Sequence, residues 1–181
     1  MKHALVIGGT GMLADVSLFL ANEYRVSVIA RNEVRMAELI KRANHSTAIT
    51  PALVNYQAEE LFRDKIKNLI EMNGPFDIVV AWIHSGADNT IPIIAEENNL
   101  FEHPWRLFHI LGSSTNLKEV IDRVRVPDSS LYRQIHLGFI IEHNRSRWLT
   151  HQEISAGVIK AIFQDQSVHT IGTVEPWDMR P

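Results

Sequence analysis

The chain has 181 residues, 45% hydrophobic and 22% charged, with a net charge of −3 and a pI near 6.3. This balance gives no ground for a nucleic-acid or anionic-membrane partner, the length suits one domain over residues 1–181, and the absence of cysteine excludes disulfides, thiolate catalysis and cysteine-ligated metal. Met1-Lys2-His3 runs straight into a strand pattern with no signal segment ahead, and no apolar run nears the roughly 20 residues of a bilayer span, so a cytoplasmic protein is expected.

In chain order the pattern alternates between strand and helix. Residues 4–9 (ALVIGG) form an apolar run ending in glycine, as a buried parallel strand does. Residues 11–23 follow at helical spacing, with Met12, Val16, Phe19 and Leu20 on one face. A strand over 25–31 leads to a helix over 32–44 with Asn32 as N-cap. Residues 46–56 hold one or two short strands interrupted by Pro51. A long amphipathic helix over 57–74 turns Leu61, Phe62, Ile66, Leu69 and Ile70 inward and stops at Asn73-Gly74. A buried strand over 75–84 precedes a loop and short helix over 88–99, with Pro92 near its start.

Residues 105–114 read as a strand and 115–126 as a short helix, with Asn116 and Glu119 at capping-box spacing and Pro127 as its end. A strand over 131–142, a loop over 143–149, and a helix opened by the capping box Thr150 and Glu153 come next. A last short strand over 169–174 and an irregular tail close the chain. The repeated β-α-β alternation predicts an α/β fold: a doubly wound parallel sheet, Rossmann-like, in the order 3-2-1-4-5-6 with a short extra strand.

Gly8, Gly11 and Ala14 follow G-x-x-G-x-x-[G/A] between a predicted strand and helix, with Gly9 as an extra glycine. Gly8 permits the tight turn, Gly11 lets the backbone approach a pyrophosphate, and Ala14 lets the helix pack on the sheet. The loop residues Gly8, Thr10, Gly11, Met12 and Leu13 are therefore candidate dinucleotide contacts. Where an NAD-binding protein places Asp or Glu to hold the ribose 2′-hydroxyl, about 20 residues further on, this chain has Arg31 and Asn32, with Arg35 one turn later. Arginine pairs with a 2′-phosphate, so NADP(H) is expected in preference to NAD(H).

These stretches, with FDIVVAWIHSGA and LFHILGSS, resemble the short-chain dehydrogenase/reductase superfamily in its atypical or extended branches, from the N-terminus to about Ser114. The resemblance implies a cofactor across the C-terminal sheet edge. Tyr56 and Gln57 would then lie near the adenine, Ala81, Trp82 and Ile83 beside the ribose and nicotinamide, and Ser113 or Ser114 at the substrate carbonyl. The chain departs from the family at the catalytic pair: no Tyr-x-x-x-Lys occurs anywhere. Tyr132 precedes His136 by four residues, but in a strand these lie about 13 Å apart.

Histidine is the natural substitute acid or base, and His84, after the fourth strand, is the first candidate. Ser113, Ser114 and Tyr132 complete the catalytic candidates. His143, Asn144, Arg145 and Arg147 form a polar cluster suited to a phosphate or carboxylate, and Trp82 and Trp148 are candidate pocket walls. The nine histidines show no metal-binding spacing. Three functions are open: an NADP-dependent oxidoreductase acting on a small carbonyl or alcohol, a non-catalytic NADP(H)-binding redox sensor, or a Rossmann domain that uses a different nucleotide. The family often dimerises through its fourth and fifth helices; here the fifth is reduced, which leaves the C-terminal tail as a candidate contact in a homo-oligomer.

Overall fold

The computed structural model describes residues 1–126 and 128–181, with every side chain among them except that of Thr47. Strands β1 (His3–Ile7), β4 (Ile78–Trp82) and β5 (Trp105–Leu111) are apolar almost throughout, because each is covered on both faces. They occupy the centre of a seven-stranded sheet. Outside them lie β2 (Arg25–Ala30) and β3 (Ile49–Leu53) on one side, and β6 (Ser130–Leu137) and β9 (Val168–Ile171) on the other. The order is β3-β2-β1-β4-β5-β6-β9 and each pairing is parallel. The predicted order holds, extended by one edge strand. Pro51 sits inside β3 opposite Val28; an edge strand tolerates the missing N–H.

Helices cover both faces. On one, α1 (Ala14–Leu20), α2 (Glu33–Arg42) and α6 (His151–Gln164) bury Val16, Leu20, Met36, Leu39, Val158 and Ile162 against the sheet. On the other, α3 (Glu59–Asn73), α4 (Thr90–Asn99) and α5 (Leu117–Val124) bury Phe62, Ile66, Leu69, Ile94 and Val120. Each such fully buried side chain contributes about 1.5–3 kcal/mol of transfer free energy. Asn32, Asn116 and Thr150 cap their helices as expected: Asn32 Oδ1 accepts from the Arg35 N–H, and Thr150 forms the full capping box with Glu153. No helix among the described residues is long and apolar enough to cross a membrane.

Four local expectations need correction. α1 starts at Ala14 rather than Gly11, so Met12 lies outside the helix, although it packs against the same core as Val16, Phe19 and Leu20. Leu61 is 66% exposed, because the buried stripe of α3 runs Phe62, Ile66, Leu69, Ile70 and leaves Leu61 one position off it. α5 ends at Val124, followed by Arg125 in the left-handed region; the stop expected at Pro127 lies outside the described residues. The strand over 131–142 and the loop over 143–149 are instead the end of β6 followed by an antiparallel hairpin, β7 (Phe139–Glu142) and β8 (Arg145–Trp148).

Gly138 makes that break. A Cβ there would lie 2.1 Å from the Thr173 carbonyl oxygen, so the chain leaves the sheet through a backbone approach only glycine allows. His143 and Asn144 both have positive φ, the geometry of a two-residue turn matched to strand twist. Neither is glycine, which hides the hairpin from a reading of the sequence.

Candidate functional site

The C-terminal ends of the strands form an edge with three adjoining recesses. The first is a groove of about 360 Å³ over the glycine loop. Gly8 turns the chain at φ 80°, and its N–H donates to the Ile29 carbonyl. A Cβ on Gly9 would meet Ser17 Oγ at 2.5 Å and Val28 Cγ1 at 2.8 Å, whereas a Cβ on Gly11 would meet nothing within 4 Å. Gly9 therefore lets α1 and β2 close up from behind, and Gly11 leaves the groove side open. Two serines fix the loop from below: Ser17 Oγ donates to the Gly9 carbonyl at 3.1 Å and Ser155 Oγ donates to that of Met12 at 2.7 Å. The N–H groups of Thr10, Met12 and Leu13 have no acceptor among the described residues, so they are free for an anion.

The groove gathers Gly8, Thr10, Gly11 and Met12 with Arg31, Asn32, Arg35, Tyr56 and Trp82 in one lining. Arg31 and Arg35 are exposed, and neither pairs with a carboxylate among the described residues. Tyr56 Oη accepts from the His84 N–H at 3.2 Å, tying the end of β3 to the end of β4. Four other expected contacts, Leu13, Gln57, Ala81 and Ile83, present no side chain to the groove. The side chains of Leu13 and Ala81 are in the core, Gln57 is exposed outside the groove lining, and Ile83 faces the second recess. His84 and His151 also line the groove; the sequence pattern gave His151 only a place at the start of α6.

The second recess is a cavity of about 230 Å³ between β5, α4 and α5. Its wall is mostly apolar, with Ile83, Ile91, Leu111, Val120 and Val124, and His84 and Trp82 are common to it and to the groove. His109, 7% exposed, projects into it from the middle of β5. Its Nδ1 lies 2.9 Å from Tyr132 Oη. Burial, with some help from Arg123, lowers the His109 pKa to about 4, and burial raises that of Tyr132 to about 12, so both are neutral near pH 7. Tyr132 thus stands behind His109, and the groove and the cavity are lined without it.

The third recess, also about 230 Å³, holds Ser113 and Ser114 with Trp82, Trp148 and Arg180. Arg180 Nε donates to Ser113 Oγ at 3.1 Å, and its guanidinium lies 5.3 Å from the Trp148 ring and 5.0 Å from the Trp177 ring. The tail therefore folds back over the end of β5. Trp82 and Gly112 stand between these serines and His84, lining both the third recess and the cavity. Arg147, expected to face an anion, is instead held by Glu142 and Glu153 at 2.9 Å each. Those bonds, the ones to Glu153 first, hold its pKa above the usual guanidinium value. Arg180 is less neutralised than Arg147, and its contact with Ser113 spans too much sequence for any spacing rule to reveal. His109 did carry a signal, a polar residue on the inward register of an apolar strand.

No family model matches the chain, and no curated protein matches it in sequence. Solved structures do match its fold. A short-chain dehydrogenase/reductase from Serratia marcescens superposes with a TM-score of 0.69 at 11% identity, over 95% of this chain and 96% of that one. A variant of actinorhodin polyketide ketoreductase, solved with NADPH, gives 0.68 at 12% identity over 94% and 95%. RhlG from Pseudomonas aeruginosa, in an active-site complex with NADP, gives 0.66 at 15% over 94% of each chain. The sheet order, the two helical layers and the glycine loop agree with these likenesses: this chain has the Rossmann fold of the short-chain dehydrogenase/reductases.

Proposed function

We propose that the protein binds NADP(H) in the groove over the glycine loop and is an oxidoreductase acting on a small carbonyl or alcohol. The observation that carries this reading is the groove lining. Free amides, a glycine whose Cβ position is open, and two uncompensated guanidinium groups converge where a 2′-phosphorylated dinucleotide needs them. No carboxylate stands among the groove residues to favour a free 2′-hydroxyl. Fold neighbours solved with NADPH or NADP support the same class of cofactor.

In this reading the loop amides hold the diphosphate, Arg31 and Arg35 the extra phosphate, and Tyr56 and Trp82 flank the ring systems. When bound, the nicotinamide supplies the redox chemistry. His84, on the wall common to groove and cavity, is the proton donor or acceptor, since an imidazole ring can both give and take a proton in acid–base catalysis. Ser113 and Ser114 are the candidate carbonyl anchors of the third recess. The test is NADPH consumption with a panel of small ketones and aldehydes. His84→Ala is expected to lower turnover by about 100-fold or more while leaving NADPH affinity within about threefold.

One observation favours the sensor reading as a second. Arg180 already engages Ser113, and the tail covers that serine, which is how a binding protein without turnover would keep the anchor occupied. Tight NADPH binding with no consumption, unchanged by His84→Ala or Ser113→Ala, identifies the sensor.

A further inference from the structure

The cavity beneath α5 contains a donor with no acceptor among the described residues. His109 is the buried polar side chain of this recess, the other polar lining residues (His84, Ser85, Asp88, Thr115 and Arg123) being exposed or half-buried, and its protonation is fixed from behind. Gln134 Nε2 donates to the Leu117 carbonyl at 2.8 Å, which sets the amide orientation, because the reverse would face two oxygens. The same Nε2 lies 3.5 Å from Tyr132 Oη. Oη accepts there, so the phenolic hydrogen is free to donate to His109 Nδ1 at 2.9 Å. With Nδ1 accepting, the imidazole hydrogen sits on Nε2. That nitrogen has no partner among the described residues and is not sealed by the packing, and the ring lines the cavity.

Because that nitrogen faces the recess, whatever fills the recess supplies its acceptor, and a ligand oxygen placed there takes over the hydrogen bond that water would otherwise accept. The mouth carries Arg123 and Asp88, opposite charges that give no preference for an anion. The body of the recess, with Ile83, Ile91, Leu111, Val120 and Val124, takes hydrocarbon.

We propose that this cavity is a binding site for a small, neutral, apolar carbonyl compound whose oxygen accepts from His109 Nε2–H. Tyr132 and Gln134 are positioning residues that hold the imidazole in the donating form. The site adjoins the groove through Trp82 and His84, so it supplies a substrate class for the oxidoreductase reading. It rests on that reading only for the chemistry after binding.

The test uses the full chain with isotope-labelled histidine and NMR of the His109 ring nitrogens. Cyclohexanone and its oxygen-free isostere methylenecyclohexane are titrated without NADPH and then with it. Cyclohexanone is expected to shift the His109 Nε2 signal saturably and to bind about tenfold more tightly than the isostere. His109→Phe should bind the two alike, and Thr115→Trp, at the cavity wall, should bind neither. Equal affinity of the two probes for the wild type, an unmoved His109 signal, or unchanged binding in Thr115→Trp overturns the proposal, even where His109→Phe does not fold. A chain that binds cyclohexanone but not NADPH refutes the dinucleotide reading alone; the reverse refutes only this site.

Discussion

Single residues divide the work of the glycine loop in a way that substitution can separate. Gly9 is a packing glycine and Gly11 an access glycine. Gly9→Ala must displace Ser17, Val28 and Val6 and is expected to cost about 1–3 kcal/mol, read as a lower urea midpoint. Gly11→Ala meets nothing, so stability should stay within about 0.5 kcal/mol, while NADPH affinity falls about tenfold because the methyl stands where the diphosphate must approach. The sequence pattern located the turn and the exposed glycine correctly, since both depend on local spacing. It assigned close packing to Ala14, which is buried, but gave Gly9 no part in it, because the side chains that crowd Gly9 come from α1, β1 and β2 together. The partners of Ser113 and His109 were hidden for the same reason: Arg180 and Tyr132 arrive from distant segments.

At the scale of elements, α6 ties the groove to the hairpin. Its Ser155 holds the Met12 carbonyl, and its first turn carries Glu153, which caps the helix and clamps Arg147 of β8. The Arg147 bonds, then the Thr150 N–H, lower the Glu153 carboxyl from 4.5 to about 2. A depressed carboxylate pKa contributes order that is complete above the unfolded value and is lost as pH falls through the folded one. Protection factors of the amides in the first turn of α6 and in β7–β8, taken relative to the intrinsic rate at each pH, are therefore expected to fall between about pH 4.5 and 2, and Glu153→Gln should show the reduced protection already at pH 6. Helix caps were legible because a cap needs only residues three apart. The hairpin was not, because Gly138 is demanded by a carbonyl from Thr173 and the turn uses His143 and Asn144 in place of glycine.

For the molecule as a whole, alternating apolar runs and amphipathic helices were enough to give the sheet order, since right-handed crossovers leave few topologies. The buried histidines set its response to pH. Burial lowers His3, which bridges the Gly74 carbonyl and Ser27 Oγ, and takes His109 to about 4 from 6.5. Between those two values the unfolded chain binds protons that the native His109 refuses, so stability falls as pH drops from about 6.5 to 4, at about 1.4 kcal/mol per unit for a fully shifted group. The urea midpoint should track that slope in the wild type and a shallower one in His109→Gln. The most direct test of the central claim is an equilibrium titration of the protein with NADPH and with NADH, repeated on Arg31→Asp. Saturable binding that prefers NADPH, with that preference reduced by about tenfold or more in the variant while NADH affinity barely moves, is the predicted result. Equal affinities for the two dinucleotides, or none for either, would contradict it.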